Sequence, residues 1–176
     1  MKRYNLNPDS KIRRILDVGS GMNPMKDATH ILDLDSSLRR VFRDKKFTGH
    51  NLNILPLPYP DSYFDRIYMN NVLHHLDIDD SLLFKEIYRI LKIQGKLYTH
   101  DPNSFFIYHR LIYFIGIMPC DFLPCHKKHY SFRQLKLNLT NAGFKIFELE
   151  NQWLFNPLKN FTNPHIRIIA KKINAI

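Results

Sequence analysis

The sequence predicts an α/β protein around a doubly wound, mostly parallel sheet, because short apolar runs alternate with segments of helical spacing from Ile12 onward. The first two runs, Ile12–Val18 and His30–Leu34, are apolar enough for buried parallel strands. Both end in polar loop formers, Gly19-Ser20-Gly21 and Asp33-Leu34-Asp35.

Further elements follow in order. Asn23-Pro24 lies in a connection of only about ten residues, which leaves room for one helical turn at most. Phe64–Met69 reads as a third long strand. In Asp79–Lys92, Leu83, Ile87, Ile90 and Leu91 recur at helical spacing behind an acidic start, and Gly95 is expected to close that helix region. Lys96–His100 supplies another strand. Ser131–Ala142 is a helix opened by the capping pair Ser131 and Gln134 and stopped by Gly143. Phe144–Leu149 and His165–Lys171 complete the strands.

The 176 residues, 44% of them apolar, are expected to form one domain over 1–176. No charged-then-apolar leader occupies Met1–Leu16 and no apolar run reaches membrane-spanning length, so a cytoplasmic protein is expected. Cys120 and Cys125 are too few for a disulfide framework, in keeping with a reducing compartment. A formal charge of +10 favours anionic partners such as RNA, a phosphorylated metabolite or an anionic membrane surface. Against that, Lys and Arg are scattered along the chain, the pattern of an ordinary solvated surface.

Several segments read together carry more. Ile15-Leu16-Asp17-Val18-Gly19-Ser20-Gly21, Asp35, Leu57-Pro58-Tyr59-Pro60-Asp61-Ser62-Tyr63-Phe64-Asp65, Asn71-Val72-Leu73-His74-His75-Leu76 and Glu86–Lys92 resemble, in order and spacing, the class I S-adenosylmethionine-dependent methyltransferases of type 11. The resemblance covers roughly residues 12–172. It implies a Rossmann-like sheet of seven strands with an antiparallel last strand, S-adenosyl-L-methionine as cofactor, and S-adenosyl-L-homocysteine as product.

The same resemblance assigns site residues. Gly19, Ser20 and Gly21 would let backbone amides approach the cofactor with no Cβ in the way. Asp35 would accept hydrogen bonds from the ribose hydroxyls, each charged bond being worth about 1.5–3 kcal/mol. Asp17 would hold the methionine amino group, directly or through water. Asn53 and Ile54 would border the adenine, and Asn71 would stand near the methyl donor. Without a ligand, the glycines read as a tight turn and Asp35 as a helix cap or surface acid.

Two departures stand out. Asn23-Pro24 falls where a third glycine and its successor are expected, with a shortened loop to Asp35, so the ligand loop must be built differently. Ile93-Gln94-Gly95 replaces a Pro-Gly-Gly.

For the chemistry, His74 and His75 carry imidazoles able to take a proton near neutral pH, and His100, Asp101, His109, His129 and Tyr130 are further candidate bases. Cys120, Cys125, His126 and His129 are donor types that tetrahedral zinc takes, at a spacing poorer than paired Cys-x-x-Cys; the plainer reading is an unliganded loop. The aromatic and aliphatic segment Asn103–Pro119 suggests a lid or substrate pocket within about 103–130, or else a core helix, a dimer contact or an amphipathic membrane contact. The expected acceptor is a small molecule. The rival is a non-catalytic nucleotide- or RNA-binding module on the same fold. A nicotinamide oxidoreductase would need a glycine at Pro24.

Overall fold

The computed structural model describes residues 13–103, 127–149 and 165–173. Seven strands form one sheet: β1 (Ile15–Val18), β2 (His30–Asp33), β3 (Lys46–Gly49), β4 (Phe64–Asn70), β5 (Leu91–Pro102), β6 (Lys145–Leu149) and β7 (His165–Lys171). Their spatial order is β3-β2-β1-β4-β5-β7-β6. β7 runs antiparallel to β5 and β6, and the remaining pairs are parallel, as the sequence implied. The order reverses at β1, where the chain returns to lay β4 on the other side. In open α/β sheets such a reversal is where the ligand crevice forms, which here falls beyond the carboxyl ends of β1 and β4.

Two helices cover one face. α2 (Asp80–Ile90) presents Leu83, Phe84, Ile87 and Ile90, and α3 (Phe132–Asn141) presents Leu135 and Leu139. These pack with Leu16, Val18, Ile67, Met69, Leu97, Ile168 and Ala170 of the strands into one buried core. Asp79 caps α2 by accepting the N–H groups of Ser81 and Leu82, and Ser131 caps α3 by accepting that of Gln134. A four-residue helix, α1 (Leu38–Val41), and a short 3₁₀ turn at Leu73–His75 complete the described elements.

Several elements differ from expectation, β5 among them, which runs Leu91–Pro102 where Lys96–His100 was expected. The first strand begins at Ile15, since Arg13 and Arg14 lie outside it and Ile12 falls outside the described residues. The edge strand β3 was not anticipated: it is four residues long, and Lys46-Phe47-Thr48-Gly49 shows no buried apolar run. The helix of residues 79–92 stops at Ile90, because Leu91 is already extended (φ −82°, ψ 137°). Buried Lys172 makes that stop possible by donating to the carbonyls of Tyr88 and Leu91, both at 2.8 Å. Gly95 therefore does not close the helix. It lies within β5, where a Cβ would sit 2.7 Å from the Lys92 carbonyl oxygen.

Between β1 and β2 there is no helix, in line with the short connection; residues 19–29 form only turns and bends. Among the described residues no helix is long and apolar enough to cross a membrane.

Candidate functional site

The chain leaves β1 at Gly19 with φ +64°. Its N–H donates to the Leu32 carbonyl at the end of β2 (2.8 Å), and a Cβ here would lie 2.3 Å from Cγ2 of Val72. The ends of β1 and β2 and the turn after β4 thus close on a point that admits only glycine. Two residues on, Gly21 (φ +50°) faces open ground, with no atom within 4 Å of where a Cβ would project. Between them the Ser20 hydroxyl donates to the Gly21 carbonyl (3.3 Å).

Carboxylates fasten this helix-free loop. Asp17, 2% exposed, accepts the N–H of Met25 at 2.6 Å just past Asn23-Pro24. Burial outweighs that hydrogen bond and pushes its carboxyl up to about 6. Asp33 accepts the N–H groups of Gly21 and Asp35, each at 3.0 Å. Its role was missed because a strand-ending acid carries no motif; the only signal was its place in Asp33-Leu34-Asp35. Asp35 lies exposed beyond β2, accepts the Ser37 N–H at 2.9 Å, and is held below the usual carboxylate range by hydrogen bonds from Ser37.

The remaining cofactor candidates stand at the same end of the sheet. Asn53 follows β3, and its Oδ1 accepts the N–H groups of Asp77 (2.8 Å) and Ile78 (3.2 Å), tying this turn to the approach to α2. Ile54 leaves 57% of its surface open. Asn71, in the left-handed region at φ +52°, donates its N–H to the His100 carbonyl at 2.6 Å. Open ground above Gly21, an exposed acid after β2 and an exposed apolar side chain after β3 are thus presented at one end of the sheet.

The candidate bases separate into different environments. Asp101 is fully buried and receives from His74 both the backbone N–H (3.3 Å) and a ring contact from Nδ1 (2.8 Å). Burial pushes its carboxyl up, and its Oδ2 is buried with no hydrogen-bond partner among the described residues. His75 is exposed and packs its ring 4.0 Å from that of His74. His100 lies on the opposite face of β5 from Asp101, its ring 4.7 Å from that of His165.

Tyr130 is 1% exposed, and its hydroxyl donates to Asp80, which also collects Lys128 and Asn138; burial, with Asp80 beside it, raises that hydroxyl. Tyr130 is therefore bound into the joint between α2 and α3. His129 is exposed. His109, Cys120, Cys125 and His126, and with them most of the lid segment, lie outside the described residues. Among the described residues no group of three His, Cys, Asp or Glu could hold a metal.

Residues 16–99 match the family described as a methyltransferase domain. A methyltransferase of Methanosarcina mazei, described as S-adenosylmethionine-dependent, superposes with a TM-score of 0.67 at 21% identity, covering 98% of this chain and 100% of that one. The chain has a methyltransferase-like α/β fold.

Among curated relatives, an uncharacterised protein of Methanocaldococcus jannaschii is 37% identical over 97 residues, or 51% of this chain and 41% of the relative. A phosphoethanolamine N-methyltransferase of Plasmodium falciparum is 32% identical over 110 residues, or 54% of this chain and 40% of the relative. The matched region thus spans about two fifths of each of those relatives. The matched residues 16–99 run from β1 into β5 and hold every cofactor candidate.

Proposed function

We propose that the domain transfers the methyl group of S-adenosylmethionine to a small-molecule acceptor. The observation that carries this reading is the turn at Gly19–Gly21, closed against Val72 on one side and open above Gly21 on the other, at the point where the strand order reverses. The name of the Plasmodium relative supports a small acceptor. When bound, the cofactor supplies a methyl group already activated on a sulfonium. The protein's task is then mainly to hold a nucleophile in line, with a base required only if that nucleophile carries a proton.

In this reading Asp35 binds the ribose, the backbone of 19–21 lies against the aminoacyl part, Asn53 and Ile54 border the adenine, and Asn71 stands beside the donor. His75, exposed at the crevice and steadied by the His74 ring, is the side chain best placed to take a proton.

Calorimetric titration with S-adenosylhomocysteine tests the cofactor site. Wild type should bind in the micromolar range, and Asp35→Ala should weaken binding by roughly 10–100-fold while leaving the thermal midpoint nearly unchanged. Absence of binding by folded wild type would sink the proposal.

Asp17 gives the site a pH signature. Its carboxyl is raised to about 6 in the free protein, so below that pH it is largely neutral and has no charge to offer an ammonium group. Affinity for S-adenosylhomocysteine should therefore rise from pH 5 to pH 7, by up to about tenfold, with proton release on binding. In Asp17→Asn that slope should vanish; if it persists, Asp17 is not the group that meets the ligand's amine.

A further inference from the structure

The sheet gathers cations that are far apart in the sequence. Arg66 of β4 pairs in register with Lys96 of β5, Lys96 with Lys171 of β7, and Lys171 with Lys145 of β6. Residues directly opposite on neighbouring strands share a face, so these four side chains form one row across four strands, about 14 Å long at about 4.8 Å per strand. Arg66 is answered by Asp27 at 2.7 Å and by the Tyr68 hydroxyl. None of Lys96, Lys145 and Lys171 has an acidic partner among the described residues. Like charges directly opposite oppose strand pairing, and here three stand in succession with no carboxylate between them among the described residues.

Two further features lie along the row. Phe147 of β6 leaves 57% of its surface exposed, and its ring lies 4.5 Å from the Lys96 ammonium and 5.7 Å from that of Lys171. Beside Lys96 a cavity of about 400 Å³ is lined by Arg13, Lys92, Gln94 and Arg66, with Asp65 the one carboxylate. That carboxylate is already engaged by Lys92 at 2.8 Å. The row sits toward the amino ends of β4 and β5, four residues back from His100, and so away from the cofactor crevice.

We infer that this row is a binding surface for single-stranded nucleic acid. Unanswered ammonium groups in a line suit a phosphodiester backbone, and an exposed aromatic ring set among them suits a stacked base. The concavity beside Lys96 accepts a phosphate in a way that a flat bilayer does not require, which favours nucleic acid over a membrane. The inference is independent of the methyl-transfer reading, because none of these residues belongs to the crevice.

Fluorescence anisotropy with a labelled single-stranded RNA 12-mer, titrated across salt concentrations, tests it. Wild type should bind. The triple variant Lys96→Gln/Lys145→Gln/Lys171→Gln should bind at least tenfold more weakly, and the slope of log affinity against log salt should fall by about 2, as expected for three lost phosphate contacts. Phe147→Ala should weaken binding several-fold with the slope unchanged. A charge-matched control, Arg43→Gln/Lys85→Gln/Lys136→Gln, removes three exposed cations elsewhere and should leave affinity within about threefold.

Equal loss in both triple variants would reduce the effect to net charge and overturn the inference. So would no RNA binding by wild type, including the case in which wild type instead sediments with phosphatidylserine vesicles. Relief of repulsion should leave the row variant at least as heat-stable as wild type, which separates lost binding from lost fold.

Discussion

Gly19→Ala is expected to lower stability by about 3 kcal/mol and the thermal midpoint by about 6–12 °C. Two effects add. A side chain at φ +64° sits in the left-handed region, at about 1–2 kcal/mol for a residue other than glycine. The new Cβ also falls 2.3 Å from Cγ2 of Val72, so either that side chain or the turn carrying it must move, at about 1–3 kcal/mol. The terms can be separated: adding Val72→Ala to Gly19→Ala removes the overlap but not the strained backbone, so the pair should be less destabilised than the sum of the singles. Binding of S-adenosylhomocysteine should be lost in both variants, because Val72 follows Asn71 in the same turn. A Gly19→Ala protein as stable as wild type would show that the strand ends do not close as described.

The second large effect is predicted for His74→Ala. Asp101 is 0% exposed, and among the described residues its carboxylate takes the Nδ1 contact of the His74 ring and the backbone N–H of the same residue. Removing one member of such a pair leaves a buried carboxylate uncompensated, at about 3–5 kcal/mol when it is ionised.

The sign of the pH dependence follows from Asp101, whose carboxyl burial already raises. Without His74 it is raised further, so the folded variant holds a proton that the unfolded chain releases. Its stability is then greatest below the ordinary carboxylate range and falls as pH rises through the raised value. Denaturant titrations at pH 5 and pH 8 should accordingly show His74→Ala losing less at pH 5. An equal loss at both would mean that Asp101 is not ionised in the pair.

Much of this architecture was legible because strands and cofactor motifs are written locally. His165–Lys171 matches β7 at both ends, and Gly19, Gly21 and Asp35 occur at the strand ends where the motif requires them. What escaped depends on partners distant in sequence. The stop of α2 at Ile90 depends on Lys172, which lies more than 80 residues away. β3 is an exposed edge, where no apolar alternation is needed. The fastening of the 19–29 loop by Asp17 and Asp33 was hidden because an acid bonded to a backbone N–H has no sequence pattern. The row of lysines was read as scattered charge, since only the register of β5, β7 and β6 aligns residues 96, 171 and 145.

β7 lies between β5 and β6, although it follows both in the chain. A polypeptide still being synthesised therefore carries β5 and β6 with their facing edges bare until residues 165–172 emerge, and those residues also bring Ile166, Ile168 and Ala170 to the core and Lys172 to the end of α2. Helix and strand formation can begin early, but closure of this half of the sheet must wait for β7, which follows both of its neighbours in the chain. In the interval, the unpaired edges invite pairing with other chains, a hazard that ends when β7 fills the gap between them.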